Sequence, residues 1–120
     1  MGVSGRQPLS NAPTMAHAGI TAILNLTIKP DPKWSFVTMN DGEPDDGLPK
    51  PPEWFHRGLN FFRSASKHGR VLIHCEAGVN RSPSMAYFSL RSEGLPAQEA
   101  LHKLGTDRVR YQDDAERALA

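Results

Sequence analysis

The chain has 120 residues, 38% of them apolar, which is enough for one compact domain and too few for two. Its 14 Lys and Arg face 13 Asp and Glu, a net charge of +1 that gives no electrostatic case for DNA, RNA or an acidic membrane as main partner. The longest apolar runs, such as Ala22-Ile23-Leu24 and Val71-Leu72-Ile73, are too short to cross a bilayer, and no basic-then-apolar leader opens the sequence. One cysteine, Cys75, allows neither an internal disulfide nor a cysteine-rich zinc site. The balance predicts a soluble protein of a reducing compartment, the cytoplasm.

Residues 1–11 read as an irregular lead-in broken by Gly2, Gly5, Pro8 and Asn11. Residues 12–18 suit a short helix stopped by Gly19, and Ile20 to Thr27 has the β-branched, apolar make-up of a buried strand. Lys29-Pro30-Asp31-Pro32 is a turn, and Ser35 to Met39 a second short strand. Asn40 to Pro52 holds four Pro, two Gly and four acidic residues, so it is a stiff, acidic loop. Loops this long in small domains tend to carry function.

Glu53 to His68 is predicted helical, with Phe55, Leu59, Phe62 and Ser66 on one face and Trp54, Phe61 and Ala65 beside them. Arg70 to His74 has a continuous apolar run, the mark of a strand buried on both faces of a parallel sheet. Helices follow over Ser82 to Glu93, Pro96 to Leu104 and Tyr111 to Ala120. The fold expected is α/β, a small, mostly parallel central sheet flanked by helices, in a single domain over residues 1–120.

The informative stretch is His74-Cys75-Glu76-Ala77-Gly78-Val79-Asn80-Arg81-Ser82, which joins the most buried strand to a helix N-terminus. Such a turn aims backbone N–H groups and the positive end of a helix dipole at one point. A cysteine there has its thiolate stabilised, which predicts an accessible nucleophile with a lowered pKa. The planar fork of Arg81 can grip two phosphate oxygens, Ser82 can donate to the sulfur, and Gly78 lets the backbone bend closely around an anion.

This loop is the C-x5-R-[ST] signature of the cysteine-dependent protein tyrosine phosphatases, and from about Ala18 onward the chain resembles their small, atypical dual-specificity branch. Ala18 to Leu26 is similar to that branch's early helix end and strand, Arg70 to Cys75 to its central strand, and Arg81-Ser-Pro-Ser-Met-Ala-Tyr87 to the helix behind its loop. The strand that usually opens these domains is abbreviated or absent, with only Val3-Ser4 available. The segment that deepens the pocket of the large tyrosine-specific enzymes is not seen, so the resemblance implies a shallow pocket open to phosphoserine and phosphothreonine as well as phosphotyrosine.

What the resemblance implies residue by residue is a nucleophile at Cys75, phosphoryl binding by Arg81, and backbone donors from Glu76, Ala77, Gly78, Val79 and Asn80. His74 orders the loop and helps set the thiol pKa, and Ser82 assists breakdown of a phosphocysteine intermediate. An Asp on the acidic loop, roughly 30 residues before the cysteine, serves as general acid and then base. Three compete: Asp46, in the register Asp46-Gly47-Leu48-Pro49 that the family's loop often shows; Asp45 beside it; and Asp41, whose Asp41-Gly42-Glu43-Pro44 repeats the pattern further off. No metal and no cofactor is called for. His17, His56, His68 and His102 are scattered and read as surface residues.

The expected partner is a phosphorylated protein substrate acted on by a monomer, with no nucleic acid and no membrane. Lipid substrates rank low, because Glu76–Asn80 lacks Lys and Arg and Glu76 repels an anionic head group. Two other readings stay open: an RNA 5′-triphosphatase using the same loop, which the absence of a basic stripe disfavours, and a phosphate-recognition module that has lost catalysis. Asp107, Arg108, Arg110, Asp113, Asp114, Glu116 and Arg117 read as the solvated face of the last helix and its lead-in.

Overall fold

The computed structural model describes residues 2–4, 19–27, 37–75 and 80–120. Among the described residues the sheet has four strands: β1 (Gly2–Ser4), β2 (Ile20–Asn25), β3 (Val37–Asn40) and β4 (Arg70–His74). Their order is β1-β4-β2-β3, and every pairing is parallel. The lead-in therefore contains the opening strand in abbreviated form. It is three residues long and adds to the free edge of β4, where Val3 stands opposite Ile73. So short a strand leaves little apolar pattern to read. The short helix expected over 12–18, the turn at 29–32 and Ser35-Phe36 lie outside the described residues.

The central strands carry continuous apolar runs in their middles, because helices cover the sheet. Ala22, Ile23, Leu24, Val71, Leu72 and Ile73 are all buried. Four helices follow: α1 (Pro52–Ala65), α2 (Arg81–Ser92), α3 (Ala97–Leu104) and α4 (Gln112–Leu119). Proline at the start of α1 costs no hydrogen bond there. Its buried face is Trp54, Phe55, Gly58 and Leu59, and Ser66, expected on that face, instead caps the exposed end. At Gly58 the chains come close: a Cβ there would stand 2.5 Å from Met85 Cε, so glycine lets α1 seat against α2.

Helix α2 is the centre of the core, with Ser82, Ser84, Met85, Ala86, Tyr87, Phe88 and Ser89 buried. Phe88 packs on Phe55 at 5.2 Å between ring centroids. Gly105 takes a left-handed conformation that ends α3, and the chain turns back through Val109 and Tyr111, both buried, into α4. The face of α4 is less solvated than its charges suggest. Asp114 is buried, and Glu116 accepts hydrogen bonds from Tyr87 and from two nitrogens of Arg91.

The register decides where a site can form. Asn25, Asn40 and His74 stand level at the carboxyl ends of β2, β3 and β4. The acidic loop leaves the sheet after Asn40 and the cysteine loop after His74, so both rise from one edge, on either side of β2. In open parallel sheets that edge is where ligands bind.

Candidate active site

Cys75 follows directly on β4, and its Sγ lies 3.1 Å from Ser82 Oγ. The Ser82 backbone N–H, in the first turn of α2, donates to the same sulfur over 3.4 Å. An N–H of a helix N-terminus and a hydroxyl thus converge on Sγ. The side chain is 2% exposed, deeper than the accessible thiolate expected from sequence. The sulfur is part of the apolar core between β4 and α2, packed among residues such as Leu26, Ile73 and Met85.

Arg81 opens α2 and is buried with its guanidinium turned toward the other loop. One terminal nitrogen donates to the Glu43 carbonyl over 2.9 Å and to the Leu26 carbonyl over 3.4 Å. Its Nε is buried and has no hydrogen-bond partner among the described residues. A buried guanidinium N–H without an acceptor is costly, and an oxyanion of a bound ligand would relieve it. Of the remaining residues singled out in the loop, Glu76, Ala77, Gly78 and Val79 lie outside the described residues. His74 closes β4, its side chain lying outside the description as well.

The acidic loop is pinned at both ends. Asn25 donates its side-chain amide to Asn40 Oδ1 and accepts from the backbone N–H and hydroxyl of Thr27, which locks the ends of β2 and β3. The Asp41 N–H then continues to the Asn25 carbonyl. Asp41 pairs through both carboxylate oxygens with Arg57 of α1, at 2.7 and 3.1 Å, and its carbonyl accepts from the Trp54 indole. Trp54 and Phe55 are fully buried core anchors.

The three candidate acids part company here. Asp41 faces Arg57 on α1. Asp46 accepts from the Leu48 N–H and forms an ion pair with Lys50 at 2.9 Å, which together hold its carboxyl below the usual range. Among the described residues, Asp45 is the one of the three that bonds to the cysteine loop: Asn80 donates its amide to Asp45 Oδ2 over 2.9 Å. The other oxygen accepts from the Tyr111 hydroxyl over 2.6 Å, and Arg110 stands 3.6 Å away. Burial alone would push the Asp45 carboxyl up. The hydrogen bonds from Tyr111 and Asn80, with the charges of Arg110 and Arg81, outweigh it and hold the group below the ordinary value.

Tyr111 is the residue the sequence reading missed. It was legible only as the start of the last helix. Its hydroxyl donates to Asp45 and accepts from the Gly47 N–H at 3.1 Å. Its backbone N–H donates to Ser84 Oγ, which in turn donates to the Asn80 carbonyl. Lys50 lies over the ring at 5.0 Å from its centroid. Nothing local marks a tyrosine that works 66 residues from its partner.

The four-stranded parallel sheet, the cysteine at the end of its central strand and the arginine at the following helix define a class, and similarity to known proteins names it. The family model described as the dual specificity phosphatase catalytic domain matches residues 4–115. The chain belongs to that family. It is 32% identical over 73 residues to a probable dual specificity protein phosphatase of Dictyostelium discoideum, matching 61% of this chain and 34% of that protein. The chain therefore spans about a third of that relative's length. The fold is similar to human DUSP28, at a TM-score of 0.82 and 16% identity over 98% of this chain and 90% of that one. It is similar also to DUSP15, at 0.81 and 17% over 98% and 78%. No helix among the described residues is long and apolar enough to cross a membrane.

Proposed function

We propose that the chain is a phosphoprotein phosphatase that hydrolyses phosphotyrosine, and phosphoserine or phosphothreonine as well, through a phosphocysteine on Cys75. One observation carries the reading. The sulfur sits under the N-terminus of α2, bonded by Ser82, and the neighbouring side chain, Arg81, is buried with an N–H that lacks an acceptor among the described residues.

In this reading the Cys75 thiolate attacks phosphorus in line, and the bond from phosphorus to the leaving oxygen breaks. Arg81 and the backbone N–H groups of Glu76 to Asn80 hold the equatorial oxygens. A carboxylic acid protonates the leaving oxygen. The resulting carboxylate then takes a proton from water as it attacks the phosphocysteine, and the sulfur–phosphorus bond breaks to free inorganic phosphate. The Ser82 hydroxyl, already at Sγ, stabilises the departing thiolate.

We assign the acid to Asp45 in preference to Asp46. Asp45 is bonded to Asn80 of the cysteine loop, whereas Asp46 is occupied by Lys50. The carboxyl is held charged in the unliganded enzyme, which suits the second step. A bound phosphate dianion beside it favours the protonated form that the first step needs. The substrate is a protein, the chain acts as a monomer, and the compartment is the reducing cytoplasm, where a thiol persists.

The experiment compares phosphate release from a phosphotyrosine peptide, a phosphoserine peptide and triphosphate-ended RNA. Release from the peptides that survives EDTA and is blocked by vanadate supports the proposal. Release from RNA alone makes the chain a triphosphatase, and release from none makes it a recognition module.

A further inference from the structure

The acidic loop has few apolar anchors. Leu48 is 62% exposed, and the loop is tied down by polar bonds instead. The bonds that fix its acid converge on one side chain from the far end of the sequence. The Tyr111 hydroxyl spans Asp45 and the Gly47 N–H, so it holds the loop on both sides of Asp46. Gly47 has φ +76°, a left-handed conformation that turns its N–H to this task. The tyrosine is itself fixed. It is 2% exposed, its N–H is held by Ser84 of α2, and cations of Lys50 and Arg110 lie near its ring at 5.0 and 5.8 Å. Asp46 enters this chain of contacts only by holding Lys50.

The geometry points to Tyr111 as a positioning residue that aims the Asp45 carboxyl at the leaving oxygen and couples it, through Ser84 and Asn80, to the helix that carries Arg81. This inference rests on the assignment of Asp45 as the acid. Among the described residues, the groups facing Asp45 are the Tyr111 hydroxyl, the Asn80 amide at the start of α2, and the guanidinium groups of Arg110 and Arg81. Burial first, and then the Asp45 hydrogen bond, push the Tyr111 phenol up, so it remains a proton donor wherever Asp45 is ionised.

A carboxyl rotated away from the leaving oxygen matters only where the leaving group needs a proton. The test measures kcat of Tyr111→Phe and Asp45→Asn in the full chain, on a series of aryl phosphates of rising leaving-group basicity and on a phosphotyrosine peptide. Each variant's pH–rate profile and Tm are recorded. For Tyr111→Phe, one charge-assisted hydrogen bond corresponds to a loss of about 10- to 100-fold on the peptide. The most acidic leaving group should change by less than about 3-fold on the same scale. The alkaline limb should move to higher pH, because the lost hydroxyl no longer favours the carboxylate.

An equal loss on all substrates, or an unmoved alkaline limb, would make Tyr111 a structural residue and overturn the inference. If Asp45→Asn itself showed no dependence on leaving group, the acid assignment would fail and the inference with it. If Asp45→Asn showed that dependence and Tyr111→Phe did not, only the inference would fall. A large Tm loss in Tyr111→Phe with the leaving-group dependence intact still supports positioning, since global unfolding slows every substrate alike.

Discussion

The two sides of the site are built from different materials. Cys75 sits in the hydrophobic core, at the junction of a strand with a buried apolar run, Val71 to Ile73, and the most buried helix. Asp45 sits on a loop held by Asn80, Tyr111 and Arg110, with prolines limiting its freedom. A nucleophile needs a fixed sulfur and a fixed anion cradle, which core packing supplies. An acid that also serves as base needs a carboxyl that changes protonation in each cycle, which a polar, half-buried setting permits and a dry core would forbid. It follows that stability and catalysis should separate on the acid side and travel together on the cysteine side.

The largest effect is expected at the sulfur. Cys75→Ser should reduce turnover to background while leaving phosphate binding in place, read by steady-state assay and by phosphate protection against heat. Residual turnover near that of the parent chain would remove Cys75 from the mechanism. Next comes the acid. Asp45→Asn should slow a phosphotyrosine peptide by about 10²- to 10⁴-fold, with little change for an aryl phosphate whose leaving group needs no proton. Asp46→Asn should cost far less on the peptide, since it only loosens Lys50. If Asp46→Asn showed the larger, substrate-dependent loss, the acid role would return to it.

These contrasts bear on what the sequence could reveal. The fold class was readable because each central strand is a short apolar run and each helix has an apolar face, both local patterns. The cysteine loop was readable because its residues are contiguous and their chemistry converges within one turn. Strand β1 was nearly invisible, since three residues carry no periodicity. The choice among Asp41, Asp45 and Asp46 could not be made from spacing, because all three lie in similar Asp-Gly or Asp-Asp-Gly contexts. Arg57, Lys50 and Tyr111, on three other segments, separate them. Register arguments favour Asp46 because they count residues, and our proposal of Asp45 rests on its bond to Asn80.

On the core side, Phe88→Ala should remove about 3–5 kcal/mol of stability, since its ring is 1% exposed and packs on Phe55 and His56. Chemical denaturation measures it. Activity should fall with the folded fraction and show no dependence on leaving group.

A smaller effect is expected where α4 docks on α2. The hydrogen bonds from Arg91, opposed by burial and helped by Tyr87, hold the Glu116 carboxyl below its ordinary value. Burial and Glu116 together push the Tyr87 phenol up to about 12. A carboxylate depressed in the folded state stabilises the protein above its unfolded pKa, and that contribution is lost as pH falls through the folded value. Glu116→Gln should therefore lower Tm by a few degrees at neutral pH and hardly at all in strong acid. A Tm difference that grew toward low pH would contradict the sign.

The proposed reaction requires phosphate to pass through Cys75 under control of an acid on the opposite loop. The decisive measurement is rapid quench in acid of the enzyme turning over a phosphotyrosine peptide, followed by mass spectrometry of the Cys75 peptide. One phosphoryl group on Cys75 is expected. Its rate of formation on the peptide should fall in Asp45→Asn, and it should form at the parent rate from an aryl phosphate with an acidic leaving group. Turnover with no label on Cys75, or with label on another residue, would contradict this mechanism.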